Sequence, residues 1–471
     1  MTRCTVTFLP MGKQVQIENG RTILQAQILA GLRPDAPCGG KGTCGKCRVM
    51  LEGVEVLACQ TPVRIDMTVW IPRWEELQAL TEGVGVHAKP DGEDACVLAF
   101  DVGTTTLVAY LLDGHSGDLL AQESCLNPQK QFGADVISRL QYAIKAEAEA
   151  VTLCVREALT ELAEKAAAKV GIPLEKITTV AIAGNTAMHH LLLGIDPKPL
   201  VTPPYMPAVS RAVEKDGLRV LPNIAGFVGG DTVACMVATR FDQQEELTLL
   251  LDIGTNGEMV LGNRDRILAC STAAGPAFEG ALISCGMRGV RGAVDHVYLQ
   301  DGQITFHTIG EAPAEGICGS GLLDLVAVLL EEGILLRSGR LPQKQYRLCE
   351  KVILTQKDVR QLQLAKGAIR AGIELLAEEM GVRVEEIRRV YLAGAFGNYM
   401  DPASACRIGM IPPVLRDRIV PIGNGAGAGA RLCALSREMF AYSQELADKT
   451  EFLELASLSR FQERYIAALD L

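Results

Sequence analysis

Four cysteines near the start of the chain constrain its fold more than any other feature. They are spaced C-x5-C-x2-C-x11-C and are Cys38, Cys44, Cys47 and Cys59. Two irons need four thiolate ligands, and a tight loop must bring its backbone N–H groups up to the cluster sulfurs. The glycines between positions 39 and 45 permit that approach because they carry no Cβ. The spacing therefore predicts a [2Fe–2S] cluster held by these four thiolates.

Zinc is the alternative for these cysteines, because cysteine pairs with short gaps also bind zinc. The run is glycine-rich and asymmetric, with three cysteines close together and a single one further on, rather than two C-x2-C knuckles. This pattern favours iron and sulfur. Disulfides are not expected, since the first ten residues, MTRCTVTFLP, lack the apolar core of a secretory leader.

The residues on either side of the cysteine run predict a small mixed domain. Residues 5–9 and 14–18 alternate in polarity around a Pro-Met-Gly-Lys turn, which is typical of a hairpin. Thr22 is placed to cap an apolar-periodic helix over 23–32. This order of elements resembles the β-grasp fold of plant-type and adrenodoxin-type ferredoxins. We predict an α+β ferredoxin-like domain over residues 1–74, with a thin core that a cluster would help to stabilise.

Length and composition limit the rest of the chain. A chain of 471 residues with 48% hydrophobic residues and 47 glycines predicts two or three domains of compact α/β type. The other eleven of the 15 cysteines are scattered without ligand spacing and are expected to be reduced and buried. No run reaches the length of a membrane span, and a pI of 5.3 without a basic aromatic patch argues against nucleic acid. We expect a cytoplasmic protein.

Residues 75–95 predict a linker. This stretch mixes Gly and Pro with six acidic residues and one basic residue. A tether of this kind would let the cluster move between its electron donor and its acceptor. The alternative is a passive joint between two domains.

A duplicated phrase follows the linker. An apolar strand ending in D-x-G-T occurs at Asp101–Thr104 and again, about 150 residues later, at Asp252–Thr255. An Asp at a strand end can hold Mg²⁺ or its waters, and the Gly and Thr of a tight hairpin offer N–H and hydroxyl groups to phosphate. Two copies in halves of similar size predict an internal duplication, with lobes over 96–245 and 246–471.

The duplicated phrase resembles the phosphate-binding hairpins of the actin, sugar-kinase and heat-shock ATPase (ASKHA) superfamily. The resemblance implies an α/β two-lobed, ribonuclease-H-like domain that closes on ATP and Mg²⁺. The strand 390–395 and the Phe-Gly-Asn that follows it resemble the adenosine element of that superfamily. The Gly/Ala run over 423–430 would suit the interlobe helix, with a flexible loop as the alternative.

Three further strand-to-helix junctions complete the predicted site, because helix N-termini that face a cleft bind anions. They lie at 183–186, at 229–232 after a short strand at 227–228, and at 316–321. Asp231 is the candidate for orienting the attacking water or the metal, with a plain helix N-cap as the alternative. The predicted catalytic residues are Asp231, Asp101, Asp252 and Glu258. The predicted ATP-binding residues are Asp101, Gly103, Thr104, Thr105, Gly184, Asn185, Asp252, Gly254, Thr255, Asn256, Gly319, Gly321, Gly394, Ala395 and Gly397.

Taken together, the motifs resemble a specific family, the ATP-dependent reductive activators of corrinoid proteins. The phrases that carry the resemblance are CGGKGTCGKC, FDVGTTT, IAGNTAMHHLLLG, GGD, LDIGTNGE, AGPAFEG, GICGSG and YLAGAFGNYMDP. The resemblance implies one-electron reduction of a methyltransferase corrinoid protein from Co(II) to Co(I) with ATP. It also implies a low-potential electron donor and is compatible with a homodimer. One departure is expected, since members of the family often carry a further domain where this chain has only the linker.

Three other functions stay open at this point. One is activation of a different low-potential enzyme, although the [2Fe–2S] pattern differs from the [4Fe–4S] cluster of that activator class. Another is a small-molecule kinase with an attached redox domain. The third is a ferredoxin whose degenerate ATPase serves only for docking, which the intact acids Asp101, Asp252 and Glu258 argue against.

Overall fold

The computed structural model of the chain describes residues 3–32, 34, 36, 40, 42, 47–71, 89–92, 95–133, 135–254 and 256–471, without the side chains of 146 and 147. The chain forms two compact units. The first comprises residues 1–76, 126–160 and 190–208, and the second comprises residues 77–125, 161–189 and 209–471. No helix in the described ranges is long and apolar enough to cross a bilayer. The predicted linker lies largely outside the described residues.

Residues 3–71 of the first unit form a five-stranded sheet with one helix. Its elements are β1 (Arg3–Leu9), β2 (Lys13–Glu18), α1 (Ile23–Leu29), β3 (Arg48–Leu51), β4 (Val54–Leu57) and β5 (Met67–Trp70). The strand order is β2-β1-β5-β3-β4, with β1 parallel to β5 and antiparallel hairpins at both ends. Val6 and Phe8 on β1 and Val69 on β5 are fully buried, as the period of two of a one-sided sheet requires. The predicted β-grasp fold is confirmed.

Helix α1 begins where the sequence predicts and ends earlier. The Thr22 hydroxyl accepts a hydrogen bond from the Gln25 N–H, and the Gln25 side chain accepts one from the Thr22 N–H, which forms a capping box. The helix ends at Leu29 instead of the predicted Leu32. Gly31 adopts a left-handed conformation with φ of 65°, which ends the helix.

The remaining residues of the chain form two large sheets and their helices. The strands are β6 (Cys96–Val102), β7 (Thr106–Asp113), β8 (Leu119–Leu126), β9 (Ile177–Gly184), β10 (Val213–Lys215), β11 (Leu218–Val220), β12 (Thr248–Ile253), β13 (Gly257–Gly262), β14 (Ile267–Thr272), β15 (Ala293–Gln300), β16 (Gln303–Thr308), β17 (Gly316–Ile317), β18 (Gln345–Arg347), β19 (Ile353–Thr355), β20 (Arg389–Ala393), β21 (Ile419–Gly423) and β22 (Thr450–Phe452). The helices are α2 (Val136–Tyr142), α3 (Ala148–Val170), α4 (Thr186–Leu193), α5 (Gly230–Thr239), α6 (Gly319–Glu331), α7 (Gln356–Met380), α8 (Gly394–Tyr399), α9 (Pro402–Arg407), α10 (Gly425–Leu435), α11 (Arg437–Lys449) and α12 (Phe461–Ala467).

The two large sheets repeat one topology. The first has the order β10-β11-β9-β6-β7-β8, and the second has the order β21-β20-β12-β13-β14-β22. In each, the strand that ends in D-x-G-T pairs antiparallel with its hairpin partner and parallel with a later strand, β9 or β20. Both central strands are buried on both faces, as the apolar runs before the two Asp residues predict. The predicted duplicated, two-lobed ribonuclease-H-like fold is confirmed.

The Gly/Ala run over 423–430 forms the end of β21 and the start of helix α10, so the flexible-loop alternative is wrong. Helix α10 packs closely on α5 of the first lobe. A Cβ built on Gly429 would lie 2.0 Å from the backbone oxygen of Ala234, and one on Gly427 would lie 2.6 Å from the Tyr110 hydroxyl. Only glycine permits α10 to come this close to Ala234 and Tyr110. The helix lies between elements of the two sheets, as predicted.

The predicted short strand at 227–228 is wrong. Val228 forms only an isolated bridge with Ala225, and helix α5 begins directly after a tight turn. The hydrogen bond of this bridge is donated by the Ala225 N–H to the Val228 carbonyl oxygen at 3.0 Å. Two apolar residues before a Gly-Gly pair are too short a pattern to distinguish a strand from a buried turn.

Candidate functional site

Two of the four predicted cluster ligands lie side by side in the first unit. Cys47 lies just before β3 and Cys59 just after β4, and both are buried. The Cys59 N–H points at the Cys47 sulfur at 3.5 Å, and the Ala58 N–H donates to the Cys47 carbonyl oxygen at 2.8 Å. Backbone N–H groups aimed at thiolate sulfur are what an iron–sulfur cluster requires, so this pair fits the group. Cys38 and Cys44 lie outside the described residues, and the ligand set stays a prediction.

The eleven remaining cysteines are all free thiols, and seven of them are buried. Burial raises the pKa of Cys270 well above the ordinary thiol value and that of Cys433 to about 12, which keeps both protonated. The predicted burial is confirmed for seven of the eleven, and Cys125, Cys154, Cys285 and Cys349 are partly exposed.

A cleft of about 330 Å³ lies within the second unit, where the D-x-G-T strands of both sheets end. That volume is within the range of small-molecule sites. Thirteen of the predicted site residues line it, namely Asp101, Gly103, Thr104, Thr105, Asn185, Asp231, Asp252, Gly254, Asn256, Glu258, Gly319, Gly394 and Ala395. The sequence motifs thus converge on one cavity.

The first hairpin is tied to distant segments at its tip and at its base. The Asn185 amide donates to the Thr104 hydroxyl oxygen at 2.9 Å. The Asn424 amide donates to the Asp101 carboxylate at 2.8 Å and lies 3.1 Å from the Tyr110 hydroxyl. Asn424 also accepts from the Gly427 N–H at 2.6 Å, so it caps α10 while it orients Asp101. The interlobe helix therefore begins at a residue that positions a predicted site carboxylate.

The two hairpins differ in the chemistry that they present. Asp252 lies directly opposite Glu258 in the β12–β13 register, so two carboxylates share one face of the second hairpin. Asp101 lies opposite Val108 in the first hairpin, where no second acid is available. Since carboxylate oxygens are the ligands that Mg²⁺ prefers, the second hairpin is the better candidate for the metal.

Four acids concentrate negative charge in the cleft. Burial raises the pKa of Asp101 and of Asp231 to about 6 and that of Asp252 to about 7. Burial also raises the pKa of Glu258 well above its ordinary value, and the charges of Asp231 and Asp252 raise it further. Buried carboxylates without a cationic partner hold protons that a divalent cation would displace. The donor set therefore fits a hard cation such as Mg²⁺.

Asp231 lies in the first turn of α5, and the N-cap of that helix is Gly229. The plain N-cap alternative for Asp231 is therefore wrong. One carboxylate oxygen of Asp231 accepts from the Thr232 N–H at 2.8 Å, which fixes the side chain against the helix end. Gly229 itself packs against the start of α4, where a Cβ would lie 2.4 Å from the Thr186 nitrogen.

Three of the predicted ATP-binding glycines do not line the cleft. They are needed for packing, since a Cβ on Gly184 would lie 2.7 Å from the Val102 oxygen and one on Gly321 would lie 2.2 Å from the Val294 oxygen. A Cβ on Gly397 would lie 3.3 Å from the Leu392 side chain. Thr255 lies outside the described residues.

Sequence reasoning missed several residues of the cleft. Phe278 is one of them, and it stacks on Phe396 of the predicted adenosine element with ring centroids 4.5 Å apart, both lining the cavity. Glu279 accepts from the Thr105 hydroxyl at 3.5 Å, and Arg288 adds a positive charge. The phrase AGPAFEG was a usable signal for Phe278 and Glu279, whereas nothing around Arg288 marks it.

The raised carboxyl pKa values predict how stability depends on pH in the absence of metal. A carboxyl group whose folded pKa is raised stabilises the fold below its unfolded pKa near 4, and that contribution is lost as pH rises through about 6 to 7. We therefore expect the melting temperature without Mg²⁺ to fall between pH 5 and pH 8. Added Mg²⁺ should restore it at pH 8 and change it little at pH 5, as calorimetry would show.

The Asp252→Asn variant tests the source of this effect, because it removes one carboxylate from the cleft. We expect it to melt higher than the natural chain at pH 8 without Mg²⁺ and to gain less from Mg²⁺. Asp265→Asn, on an exposed hairpin, is the matched control and should behave like the natural chain. If Asp252→Asn and Asp265→Asn had the same melting temperatures with and without Mg²⁺, the attribution of the pH effect to the carboxylates of the cleft would be wrong.

The chain was compared with known families and structures. A family model described as "2Fe-2S iron-sulfur cluster binding domain" matches residues 6–64. One described as "RACo middle region" matches residues 96–244, and one described as "C-terminal domain of RACo the ASKHA domain" matches residues 246–471. The residues that the middle-region model matches include every strand of the first large sheet.

Two similar proteins have described activities. The chain is 36% identical over 411 residues to "Corrinoid activation enzyme RamQ" of Eubacterium limosum, with 78% of this chain and 69% of that protein covered. It is 28% identical over 418 residues to a "Co(II) methylated amine-specific corrinoid protein reductase" of Methanosarcina barkeri, with 79% and 76% covered.

One solved structure is similar over almost its whole length. It is described as "Reductive activator for corrinoid,iron-sulfur protein", with a TM-score of 0.72, 29% identity, and coverage of 99% of this chain and 98% of that one. The chain belongs to the family of reductive activators of corrinoid proteins, in which a [2Fe–2S] ferredoxin domain is joined to an ASKHA ATPase domain.

Proposed function

We propose that this chain uses ATP to drive one electron from its iron–sulfur cluster to the Co(II) centre of a corrinoid protein. The cobalt is thereby reduced to Co(I). The observation that carries the proposal is the combination of two sites in one chain. A ferredoxin fold presents the buried thiols of Cys47 and Cys59, and a separate unit presents a cleft with three carboxylates on the duplicated hairpins and Asp231 at the start of α5. The described activities of the similar proteins support the same reaction.

ATP is needed because the electron transfer is uphill. Clusters of the plant ferredoxin type lie near about −400 mV, and the Co(II)/Co(I) couple lies lower. Each gap of about 59 mV lowers the equilibrium constant of a one-electron step roughly tenfold. A nucleotide can shift that equilibrium only if the nucleotide-bound and nucleotide-free states of the chain bind the corrinoid protein with different affinities. The proposed cycle therefore couples nucleotide occupancy of the cleft to the corrinoid complex.

The side chains of the cleft divide the work on ATP. Thr104 and Asn185 offer polar groups from the first lobe to the phosphates, and Asp252 with Glu258 would hold Mg²⁺ from the second. Asp231 is placed to accept a proton from the attacking water, since its pKa of about 6 is close to neutral pH. Phe396 and Ala395 would lie along the adenosine.

Further parts of the proposal concern the surroundings of the reaction. We propose Mg²⁺ as the metal of the nucleotide, a low-potential protein as the electron donor, and the cytoplasm as the location. The domain boundaries at 74, 95 and 245 and a homodimeric assembly also belong to the proposal. The ATP-binding and cluster residues are proposed as predicted from the sequence, with Gly184, Gly321 and Gly397 acting through packing.

An anaerobic absorption assay tests the function. The reduced full-length chain is mixed with a Co(II) corrinoid protein, and the spectrum of Co(I) is followed with Mg·ATP, with a non-hydrolysable analogue and without nucleotide. We expect Co(I) to accumulate only with Mg·ATP. Equal reduction without nucleotide would overturn the proposal, and ADP release that depends on a small-molecule acceptor would instead indicate a kinase.

A further inference from the structure

A second cavity of the second unit shares no lining residue with the nucleotide cleft. It has a volume of about 1100 Å³ and lies between α7, α9, the turn at 413–418 and the C-terminal residues 464–471. The proposed electron transfer makes no use of it.

The side chains around this cavity carry an excess of positive charge. Six of them are cationic, namely Arg337, Lys366, Arg370, Arg407, Arg416 and Arg464. Three are carboxylates, namely Glu374, Asp417 and Asp470. The whole chain has a net charge of −10, so a local excess of cations stands out against an acidic protein. A concave site of one sign attracts ligands of the opposite sign.

Four of the arginines are held by acidic partners. Arg370 pairs with Glu374 at 2.6 Å, and Arg416 lies 3.3 Å from Asp417. In the same way Arg407 pairs with Glu331 and Arg464 with Glu378, both outside the cavity lining. These half-buried and exposed pairs position the arginines around the cavity and leave part of their donor capacity available.

Lys366 differs from the arginines because it is 1% exposed. Its ammonium donates to the carbonyl oxygen of Asp470, which uses one of three N–H donors. Among the described residues no carboxylate lies within ion-pair distance of it. Burial and the charge of Arg370 together lower the pKa of Lys366 to about 8, against the opposing charges of Asp470 and Glu374. A buried ammonium with one neutral acceptor is costly, so this position is electrostatically incomplete.

Lys366 and Gly409 both line the cavity, and they lie close together. Gly409 adopts a φ of 73°, and a Cβ built on it would lie 3.3 Å from the Lys366 nitrogen. The exposed side chain of Arg337 forms no ion pair within the described part of the chain. Its carbonyl oxygen accepts from the Leu471 N–H at 2.7 Å, which fixes the C-terminal residues beside the cavity. Lys366 and Arg337 are therefore the two cations with the most unused donors.

We propose that this cavity binds a small phosphate-bearing anion, with Lys366 as the inner ligand and Arg337 as the outer one. A multivalent anion matches the excess of cations better than a single carboxylate does, and phosphate oxygens accept several charge-assisted hydrogen bonds at once. Lys366 lies too deep for a flat protein surface to reach it. The cavity is larger than orthophosphate, which leaves room for an organic phosphate.

Calorimetric titration of the full-length holoprotein with pyrophosphate tests this, with the nucleotide cleft first saturated with Mg·ADP. We expect saturable binding that weakens at least tenfold in Lys366→Met and in Arg337→Gln. Lys366→Met keeps the length of the side chain, and Arg337 is exposed, so that variant does not disturb the core. Arg264→Gln, on an exposed hairpin far from the cavity in sequence, is the matched control and should bind like the natural chain.

Proton uptake gives a second readout. A bound anion raises the pKa of Lys366, so titration at pH 8 in buffers of different ionisation enthalpy should show uptake that Lys366→Met lacks. The charges of Arg370, Glu374 and Asp470 also affect the pKa of Lys366. These three residues are the same in the natural chain and in Lys366→Met. Absence of saturable binding at millimolar pyrophosphate would overturn the proposal, and so would binding by Lys366→Met and Arg337→Gln as tight as that by the natural chain. The proposal would also be overturned if an acidic peptide bound in a way that depends on Lys366 while pyrophosphate did not bind.

Discussion

Replacement of Cys59 by serine is expected to abolish electron transfer to a corrinoid protein and to leave nucleotide binding unchanged. A serine hydroxyl is a much poorer ligand for iron than a thiolate, and Cys59 is buried against the Cys47 sulfur. The residues that line the nucleotide cleft all belong to the second unit. Visible absorption and electron paramagnetic resonance of the reduced protein would show the loss of the [2Fe–2S] signal.

The matched control for this variant is Cys4→Ser. Cys4 lies on β1 in the core of the same sheet, is 5% exposed and is not a predicted ligand. It should keep the cluster spectrum and the reduction of Co(II), at a modest cost in stability. If Cys59→Ser retained a normal cluster, or if both variants lost it to the same extent, the assignment of Cys59 as a ligand would be wrong.

Local patterns were enough to predict most of the fold and the centre of the site. The two apolar strands that end in Asp101 and Asp252 require burial on both faces, and the hairpin turn after each leaves few alternatives to a paired strand. The capping box at Thr22 fixed the start of α1. Helix α7 begins at Gln356, earlier than the apolar period suggests, and the capping box between Thr355 and Asp358 was an available signal for that start.

Contacts between distant segments could not be predicted in the same way. Asn424 reaches Asp101 across 323 residues, and Glu279 reaches Thr105 across 174 residues. Nothing in the neighbourhood of either partner indicates the other, because such pairs are set by how the two lobes pack. The anion cavity is a similar case, since Lys366 lies in a helix whose buried positions are mostly apolar.

The difference between the two hairpins suggests how the lobes divide their roles. Both strands carry an Asp at the same place, but only the second hairpin adds Glu258 opposite it. The first hairpin instead carries an Asp that Asn424 orients from the start of the interlobe helix. A movement of α10 would therefore shift the hydrogen bond to Asp101 without displacing the Asp252 and Glu258 pair.

Replacement of Asp231 by asparagine is expected to slow ATP hydrolysis by about 10²–10⁴-fold, which is the usual contribution of a general base. Nucleotide binding should persist, because Asp252, Glu258 and the hairpin groups remain. The Thr232 N–H that donates to Asp231 can donate equally well to an amide oxygen, so the geometry of the helix start is retained. Phosphate release would measure hydrolysis, and nucleotide titration would measure binding, with Asp265→Asn as the control.

The same variant separates the two ways in which ATP could be used. If occupancy of the cleft is sufficient for electron transfer, Asp231→Asn should reduce one equivalent of Co(II) and then stop, since it cannot reset. If hydrolysis itself drives the transfer, no Co(I) should form even in the first turnover. Hydrolysis at the natural rate would show that Asp231 is not the base, and Asp101, the other acid of the first lobe with a pKa of about 6, would be the next residue to test.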